Sequence, residues 1–262
     1  MAKTIIFADL VQDSARIIKR MEPQSVISHI AAAPTCRHGD HSVTPLPELC
    51  SGIHEWFYGD RSNLNYSKSE HPSITRPLGR RWWPAALTLI AWMAGRILSQ
   101  SEQKYLFWIG GPHFQPTIQI LAAILPDHSL LKRCIFLDLS NRSDHLWAID
   151  QTLRSNAAAV VIADAAGADI AASRRWQLAA AAGGVCGLLA RPPWEIQEQC
   201  LAITRWQVQP LPSATVNPQW RVRPLRCKPP MESTIADTQW TVQWCYNSAT
   251  GQGDMKQEVE LY

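Results

Sequence analysis

Residues 143–193 decide the fold, and they read SDHLWAIDQTLRSNAAAVVIADAAGADIAASRRWQLAAAAGGVCGLLARPP. Within 146–153, large apolar residues recur at i, i+3 and i+7. This spacing predicts a helix with one apolar face. Ser143 or Asp144 is expected to cap this helix, because a short side-chain oxygen can accept a free N–H group of the first turn.

Residues 157–163 follow as an unbroken apolar run, which is typical of a parallel strand covered on both faces. Asp164 stands at the C-terminal end of this strand, where open α/β sheets place their ligand sites. A second helix is expected over 173–182, ended by the glycine pair 183–184, and a second strand over 185–190. The stretch therefore predicts one complete α/β unit with Asp164 as its candidate site residue.

The chain before this stretch also alternates strands and helices. Short apolar runs bounded by glycine or proline predict strands, and longer patterns with a 3.6-residue period predict helices. The strands are expected at 51–58, 104–109 and 134–139, and the helices at 84–98 and 117–125. This order predicts an α/β protein with a mainly parallel sheet flanked by helices and joined by right-handed crossovers.

After residue 200 apolar and polar residues alternate one by one. The apolar positions include Trp206, Trp220, Trp240 and Trp244. A period of two predicts half-exposed strands, and the short connections between these segments favour an antiparallel arrangement. The C-terminal strands are expected to extend the edge of the parallel sheet.

These patterns divide the chain into an arm, one domain and a tail. Residues 1–48 show little periodicity and are interpreted as an N-terminal arm. Residues 49–246 form the domain, which contains a polar, proline-broken insertion at 59–81 and the C-terminal strands at 200–246. Residues 247–262 are expected to be a flexible tail.

Composition excludes several classes of protein. The chain has 262 residues, 46% hydrophobic and 18% charged, with a net charge of +3, so a globular core is expected and an acidic partner is not required. No apolar run is long enough to span a membrane. The seven cysteines include no CxxC pair, which favours reduced thiols and a cytoplasmic location. Cys36, His38 and His41 lie close together but are fewer than the four ligands of a structural zinc site, so no metal is expected.

A set of motifs, in order, resembles the ImuA family of RecA-like proteins, which are SOS-induced accessory proteins of translesion DNA synthesis. The similarity runs from about residue 51 to residue 244. It rests on SGIHEW (51–56), SDHLWAIDQTLRS (143–155), AAVVIAD (158–164), SRRWQLAAAAGGVCGLLARP (173–192), LAITRWQV (201–208), WRVRPLRC (220–227) and WTVQW (240–244).

The resemblance implies a RecA-like fold with a degenerate nucleotide site. In RecA-type ATPases the first strand leads into a phosphate-binding loop of the form GxxxxGK[ST]. Here 59–81 stands in that place and contains no GK[ST], and Pro112 stands where those ATPases carry the glutamate that activates water. Asp164 matches the carboxylate that holds magnesium. The chain is therefore expected not to be an enzyme and to have no resident cofactor, with Asp164 as a residual magnesium or nucleotide ligand or, alternatively, a loop cap.

The resemblance also implies partners. These are an ImuB-like, Y-family-like polymerase subunit, an error-prone replicative-type DNA polymerase, RecA and single-stranded DNA, with no membrane. The implied function is scaffolding of these proteins. The alternative is a cell-division inhibitor similar to SulA that binds FtsZ, because 153–192 also resembles that protein. An active DNA-dependent ATPase is disfavoured by the missing phosphate-binding loop.

The C-terminal strands supply candidate residues for binding DNA or a partner. Interleaved tryptophans and arginines can stack on bases and contact phosphates; here they are Arg205, Trp206, Trp220, Arg221, Arg223 and Arg226. In the alternative interpretation the tryptophans face the core of the sheet and the arginines are a solvated face. Trp147 and Trp176 are expected on the outer faces of their helices, and Arg174 and Arg175 are expected to form salt bridges or to contact a partner.

Overall fold

The computed structural model describes residues 46–59, 84–111, 114–139, 141–215, 217–229, 238–247 and 249–261. The predicted arm up to residue 45 and the predicted insertion beyond Gly59 lie outside these ranges. Among the described residues no helix is both long and apolar enough to cross a membrane.

Strands and helices alternate through the first two thirds of the described chain, as the sequence predicts. The helices are α1 (Pro84–Ser99), α2 (Ile118–Ile124), α3 (Arg142–Arg154) and α4 (Ile170–Gly183). The strands are β1 (Gly52–Tyr58), β2 (Tyr105–Ile109), β3 (Cys134–Leu137), β4 (Ala158–Asp164), β5 (Cys186–Arg191), β6 (Thr204–Leu211), β7 (Gln219–Cys227), β8 (Thr238–Asn247) and β9 (Gln252–Leu261). Two 3₁₀ helices cover His128–Arg133 and Pro193–Gln197.

All nine described strands form one sheet in the order β3-β2-β4-β5-β1-β6-β7-β8-β9. The pairs from β3 to β6 are parallel. The pairs from β6 to β9 are antiparallel. The prediction of a mainly parallel sheet flanked by helices, with antiparallel C-terminal strands, is confirmed.

The two faces of the sheet are covered by different helices. Side chains at alternate positions of the strands, such as Val160, Ile162 and Leu188, join α1 and α2 in one apolar core. The crossover helices α3 and α4 pack on the opposite face, where a Cβ added at Gly187 would meet Leu153 of α3. Burial of both faces explains why the central strands read as apolar runs.

The helix ends differ in detail from the expectation. Asn141, rather than Ser143 or Asp144, caps α3, because its side chain accepts the N–H of Ser143 at 2.9 Å. Asp169 caps α4 by accepting the N–H of Ala172 at 2.7 Å. The predicted glycine stop is confirmed: Gly184 has φ +63°, a left-handed conformation that a glycine adopts without a Cβ penalty.

The expected flexible tail is wrong for the described residues 249–261. Strand β9 pairs with β8 along its whole length, from Gln252 opposite Asn247 to Leu261 opposite Thr238. Gly251, with φ +70°, allows the tight turn between the two strands. Met255 is buried in the core, and this apolar contact stabilises the strand. The polar composition of the segment gave no indication of it.

Tryptophan side chains fill the core under the C-terminal strands. Trp56 of β1 stacks on Trp206 of β6 with ring centroids 5.5 Å apart and an interplanar angle of 13°. Trp206 in turn contacts Trp240 of β8 at 5.8 Å. Trp176 is also buried, contrary to the expectation of an outer face, whereas Trp147 is 54% exposed as expected.

Candidate functional site

The carboxyl ends of the parallel strands meet at one edge of the sheet. Asp164 at the end of β4 lies opposite Ala190 of β5, and Arg191 of β5 lies opposite Phe57 of β1. This is the edge where open α/β sheets bind ligands. The charged side chains near these strand ends therefore define the candidate site.

Asp164 is half-buried and bonded to the loop that follows β4. Its Oδ1 accepts the N–H of Ala166 at 3.0 Å, and its main-chain oxygen accepts a hydrogen bond from His145 Nε2 at 2.7 Å. Arg142 donates to the main-chain oxygen of Ala166. Burial raises the pKa of Asp164, although the Ala166 N–H and the neighbouring His145 and Arg142 oppose this shift. In this arrangement the carboxylate caps the loop.

Burial shifts the pKa values of His145 and Arg142, both on the first turns of α3, downwards, whereas it shifts that of Asp164 upwards. Burial lowers the pKa of His145, which favours the neutral imidazole, and the carbonyl partner requires that Nε2 carries the proton. Burial also lowers the pKa of Arg142, and nearby Asp164 counteracts this.

Four side chains form what we call the carboxyl-edge network: Glu55, Arg191, Glu195 and Arg205. Arg191 is its centre and is 1% exposed. Its Nε donates to Glu195 Oε2 at 2.6 Å and its Nη1 to Glu55 Oε1 at 3.2 Å. Its Nη2 donates to the main-chain oxygen of Ala168 at 3.1 Å.

Arg205 closes the network from β6. Its Nε donates to Glu55 Oε2 at 3.0 Å, so both oxygens of Glu55 bind an arginine. Its two terminal nitrogens donate to the main-chain oxygens of Ile196 and Glu195 at 2.9 and 3.2 Å. The guanidinium also lies 4.6 Å from the centroid of the Phe57 ring, a cation–π contact.

Glu195 links the network to the loop after Asp164. Its Oε1 accepts the N–H of Gly167 at 2.6 Å. Burial raises the pKa of Glu195, and the adjacent Arg191 together with the Gly167 N–H opposes the rise. Two carboxylates thus compensate two guanidinium groups, as buried charges require. The network joins the middle of β1, the C-terminal end of β5 and the N-terminal end of β6, and its ionic groups bind each other and the main chain.

The sequence-predicted DNA- or partner-binding residues do not form one cluster. Trp206 and Trp220 are 0% and 1% exposed, so their rings belong to the core and offer no face to a base. Arg205 is in the carboxyl-edge network. Base stacking by these two tryptophans is therefore excluded by burial in this structure.

The remaining three arginines lie on β7. Arg223 and Arg226 are exposed and Arg221 is half-buried. Arg223 Nε donates to Gln207 Oε1 of the neighbouring strand at 2.7 Å. Binding of DNA or a partner by these residues stays a prediction.

The sequence patterns did not point to Glu55, Arg191 or Glu195 as site residues. The available signal was a carboxylate inside the apolar run SGIHEWFY and an arginine ending the apolar run CGLLAR. Charged residues in doubly covered strands must find buried partners. Which residues pair could not be read from the chain, since Glu55 and Arg205 are separated by 150 positions.

Other predicted features lie outside the described residues. They are Pro112, the segment 60–81, and the group Cys36, His38 and His41. Within the described ranges, no three or more His, Cys, Asp and Glu side chains are grouped so that they could hold a metal ion.

No protein-family model and no curated protein sequence matches the chain. Solved structures with remote similarity to the chain include the following two. SulA from Pseudomonas aeruginosa has a TM-score of 0.35 and 21% identity over 40% of this chain and 86% of its own. The RadB recombinase has a TM-score of 0.48 and 11% identity over 74% of this chain and 88% of its own. Similarity this remote does not transfer a function.

Proposed function

We propose that the chain is a non-catalytic, RecA-like accessory protein of SOS-induced translesion DNA synthesis. It scaffolds a Y-family-like polymerase of the ImuB type together with an error-prone replicative-type polymerase, RecA and DNA. The motifs from residue 51 to residue 244 that resemble the ImuA family support this assignment.

One structural observation carries the non-catalytic part of the proposal. At the carboxyl edge, Arg191 and Arg205 use their donors on Glu55, Glu195 and main-chain oxygens. Phosphoryl transfer needs cationic groups that face the transferred phosphate, with a magnesium carboxylate and a group that positions the nucleophile. Among the described residues, Arg191 and Arg205 bind partners within the sheet and its loops, and Asp164 bonds the adjoining loop, which supports a role without phosphoryl transfer.

The experiment is a calorimetric titration of the full chain with the ImuB-type polymerase from the same organism at physiological salt. The proposal expects a saturable complex of defined stoichiometry. Absence of binding would contradict it. If the chain instead reduces the amount of FtsZ that sediments as polymer, the SulA-like alternative replaces the proposal.

A further inference from the structure

The crossover helices α3 and α4 expose large apolar side chains on their outer faces. Trp147 of α3 is 54% exposed, and Ile170 and Leu178 of α4 are 48% and 62% exposed. Together with Arg174 and Arg175 we call them the α3–α4 outer surface. On α4 its members lie at i, i+4, i+5 and i+8, which is one continuous helical stripe.

The two helices lie side by side, so these residues share one surface. Both cover the same face of the sheet as successive crossovers between parallel strands, which makes them parallel to each other. His145 of α3 bonds the main-chain oxygen of Asp164, at the end of the strand that connects the two helices, at 2.7 Å. At their C-terminal ends a Cβ on Gly183 would collide with the main-chain oxygen of Leu153.

The heights of the exposed residues along the helices also correspond. Trp147 is the sixth residue of α3, and Arg174 and Leu178 are the fifth and ninth residues of α4. At about 1.5 Å of rise per residue, these positions lie within roughly one helical turn of the same level. Trp147 of α3 and Leu178 of α4 are therefore exposed at similar heights on neighbouring helices.

The α4 side of this surface is basic. Arg174 and Arg175 are exposed, and neither forms an ion pair with another described residue. The neighbouring Asp150 is engaged by Arg154 at 2.8 Å on α3 itself. Of the exposed carboxylates, Asp144 lies three residues before Trp147 on α3, and Asp169 caps the N-terminal end of α4. Two exposed arginines with no ion pair to another described residue thus lie on the same helix as the exposed Leu178, a combination that suits a ligand both acidic and apolar.

We propose that the α3–α4 outer surface binds an amphipathic, acidic helix of a partner protein. Its apolar side chains pack against Trp147 and Leu178, and its carboxylates pair with Arg174 and Arg175. Helix-in-groove binding uses this combination of spaced apolar anchors and charged flanks, and Trp and Arg are the residue types that most often dominate such interfaces. The inference rests on the proposed scaffolding function, since it names the surface that engages a partner.

The test uses three fluorescein-labelled peptides of equal length and the full chain, with binding followed by fluorescence anisotropy. One peptide is an amphipathic helix of leucine and glutamate, one has lysine in place of glutamate, and one is a scrambled form of the acidic peptide. The acidic amphipathic peptide is expected to bind about ten-fold tighter than either control, the equivalent of one well-placed interface contact.

Variants locate the binding site on the chain. Trp147→Ala, Leu178→Ala and the double change Arg174→Glu with Arg175→Glu are each expected to weaken binding of the acidic peptide about ten-fold. Ile118→Ala and Lys132→Glu are the matched controls, because both residues are exposed and lie on α2 and on the 3₁₀ helix His128–Arg133. The controls are expected to bind as the unaltered chain does, and thermal unfolding verifies that every variant is folded.

Several outcomes would overturn the inference. Equal binding of all three peptides would do so, as would control variants that lose as much affinity as Trp147→Ala. A dimer that Trp147→Ala dissociates would assign the surface to a second copy of the chain. Single-stranded DNA binding that is lost in the double arginine variant would assign it to nucleic acid. If the acidic peptide binds selectively while the ImuB-type polymerase does not, the surface is supported and the proposed function fails.

Discussion

At the scale of single residues, His54 shows how a buried polar group is satisfied. Trp206 Nε1 donates to Thr204 Oγ1 at 2.6 Å, and that hydroxyl lies 2.7 Å from His54 Nδ1. His54 Nε2 lies 3.0 Å from the main-chain oxygen of Cys50. A carbonyl only accepts, so Nε2 is the donor, Nδ1 accepts from the hydroxyl, and the imidazole is neutral. Burial lowers the pKa of His54 to about 4.

This depressed pKa predicts a pH dependence of stability. Above about pH 6.5, the ordinary value, His54 is neutral in both the folded and the unfolded chain. As the pH falls from 6.5 towards 4, the unfolded chain takes up the proton first, so the free energy of unfolding decreases, by up to about 3 kcal/mol. Urea unfolding at a series of pH values measures this decrease.

The control for this prediction is His54→Gln, which removes the titrating group. The buried His145 has the same sign of pH dependence, whereas Asp164 and Glu195, whose pKa values are raised by burial, stabilise the folded state as the pH falls. Only the difference between the two proteins therefore reports on His54. If the free energy of unfolding depends on pH in the same way in both proteins, the assignment of a neutral, buried imidazole to His54 is wrong.

The carboxyl-edge network predicts that removal of one charge lowers the free energy of unfolding strongly. Glu55→Gln leaves Arg191 and Arg205 buried without their shared carboxylate, and removal of one member of a buried ion pair costs about 3–5 kcal/mol. We expect a loss of this size in the free energy of unfolding, measured in urea. Asp150→Asn is the matched control, because it removes an i, i+4 pair with the exposed Arg154 and is expected to cost less than about 0.5 kcal/mol. Equal losses in the two variants would argue against the network as a structural element.

At the scale of elements, stacked tryptophans join β1, β6 and β8. Trp206 is fully buried between Trp56 and Trp240. Trp206→Ala is expected to lower the free energy of unfolding by about 3–5 kcal/mol, the range for truncating a buried aromatic residue. Trp147→Ala, which removes an exposed ring of the same type, is expected to change it by about 0.5 kcal/mol or less. The reverse order in a denaturant titration would contradict the assignment of these two rings.

Strand β9 replaces the flexible tail expected from its polar sequence. Trp92 Nε1 of α1 donates to Asp254 Oδ1 at 3.1 Å, and Gln257 Oε1 accepts the N–H of Leu46 at 2.6 Å. We expect the β9 amides that pair with β8 to exchange with deuterium as slowly as those shared by β7 and β8. Exchange of all residues from 252 to 261 at the rate of an unstructured peptide would support the flexible tail instead.

At the scale of the whole molecule, the sequence predicted the order of strands and helices but not the side-chain partners across the sheet. Periodicity reports which face of an element is apolar, so the parallel sheet and the antiparallel C-terminal strands were predictable. Arg205 illustrates the limit, because an arginine in an alternating strand looks solvated until Glu55 of β1 is placed beside it. Trp176 illustrates a second limit. On an alanine-rich helix the apolar pattern does not show whether this side chain faces the sheet or the solvent, and in the structure it is buried.

We expect the chain to turn over no nucleotide, and a measurement of phosphate release from ATP tests this expectation. The measurement compares the full chain with Asp164→Ala, with magnesium and single-stranded DNA present. We expect both proteins to release phosphate at the same background rate. Turnover by the unaltered chain that Asp164→Ala abolishes would show that the protein is catalytic, because the Asp164 carboxylate would then hold magnesium for catalysis instead of capping its loop.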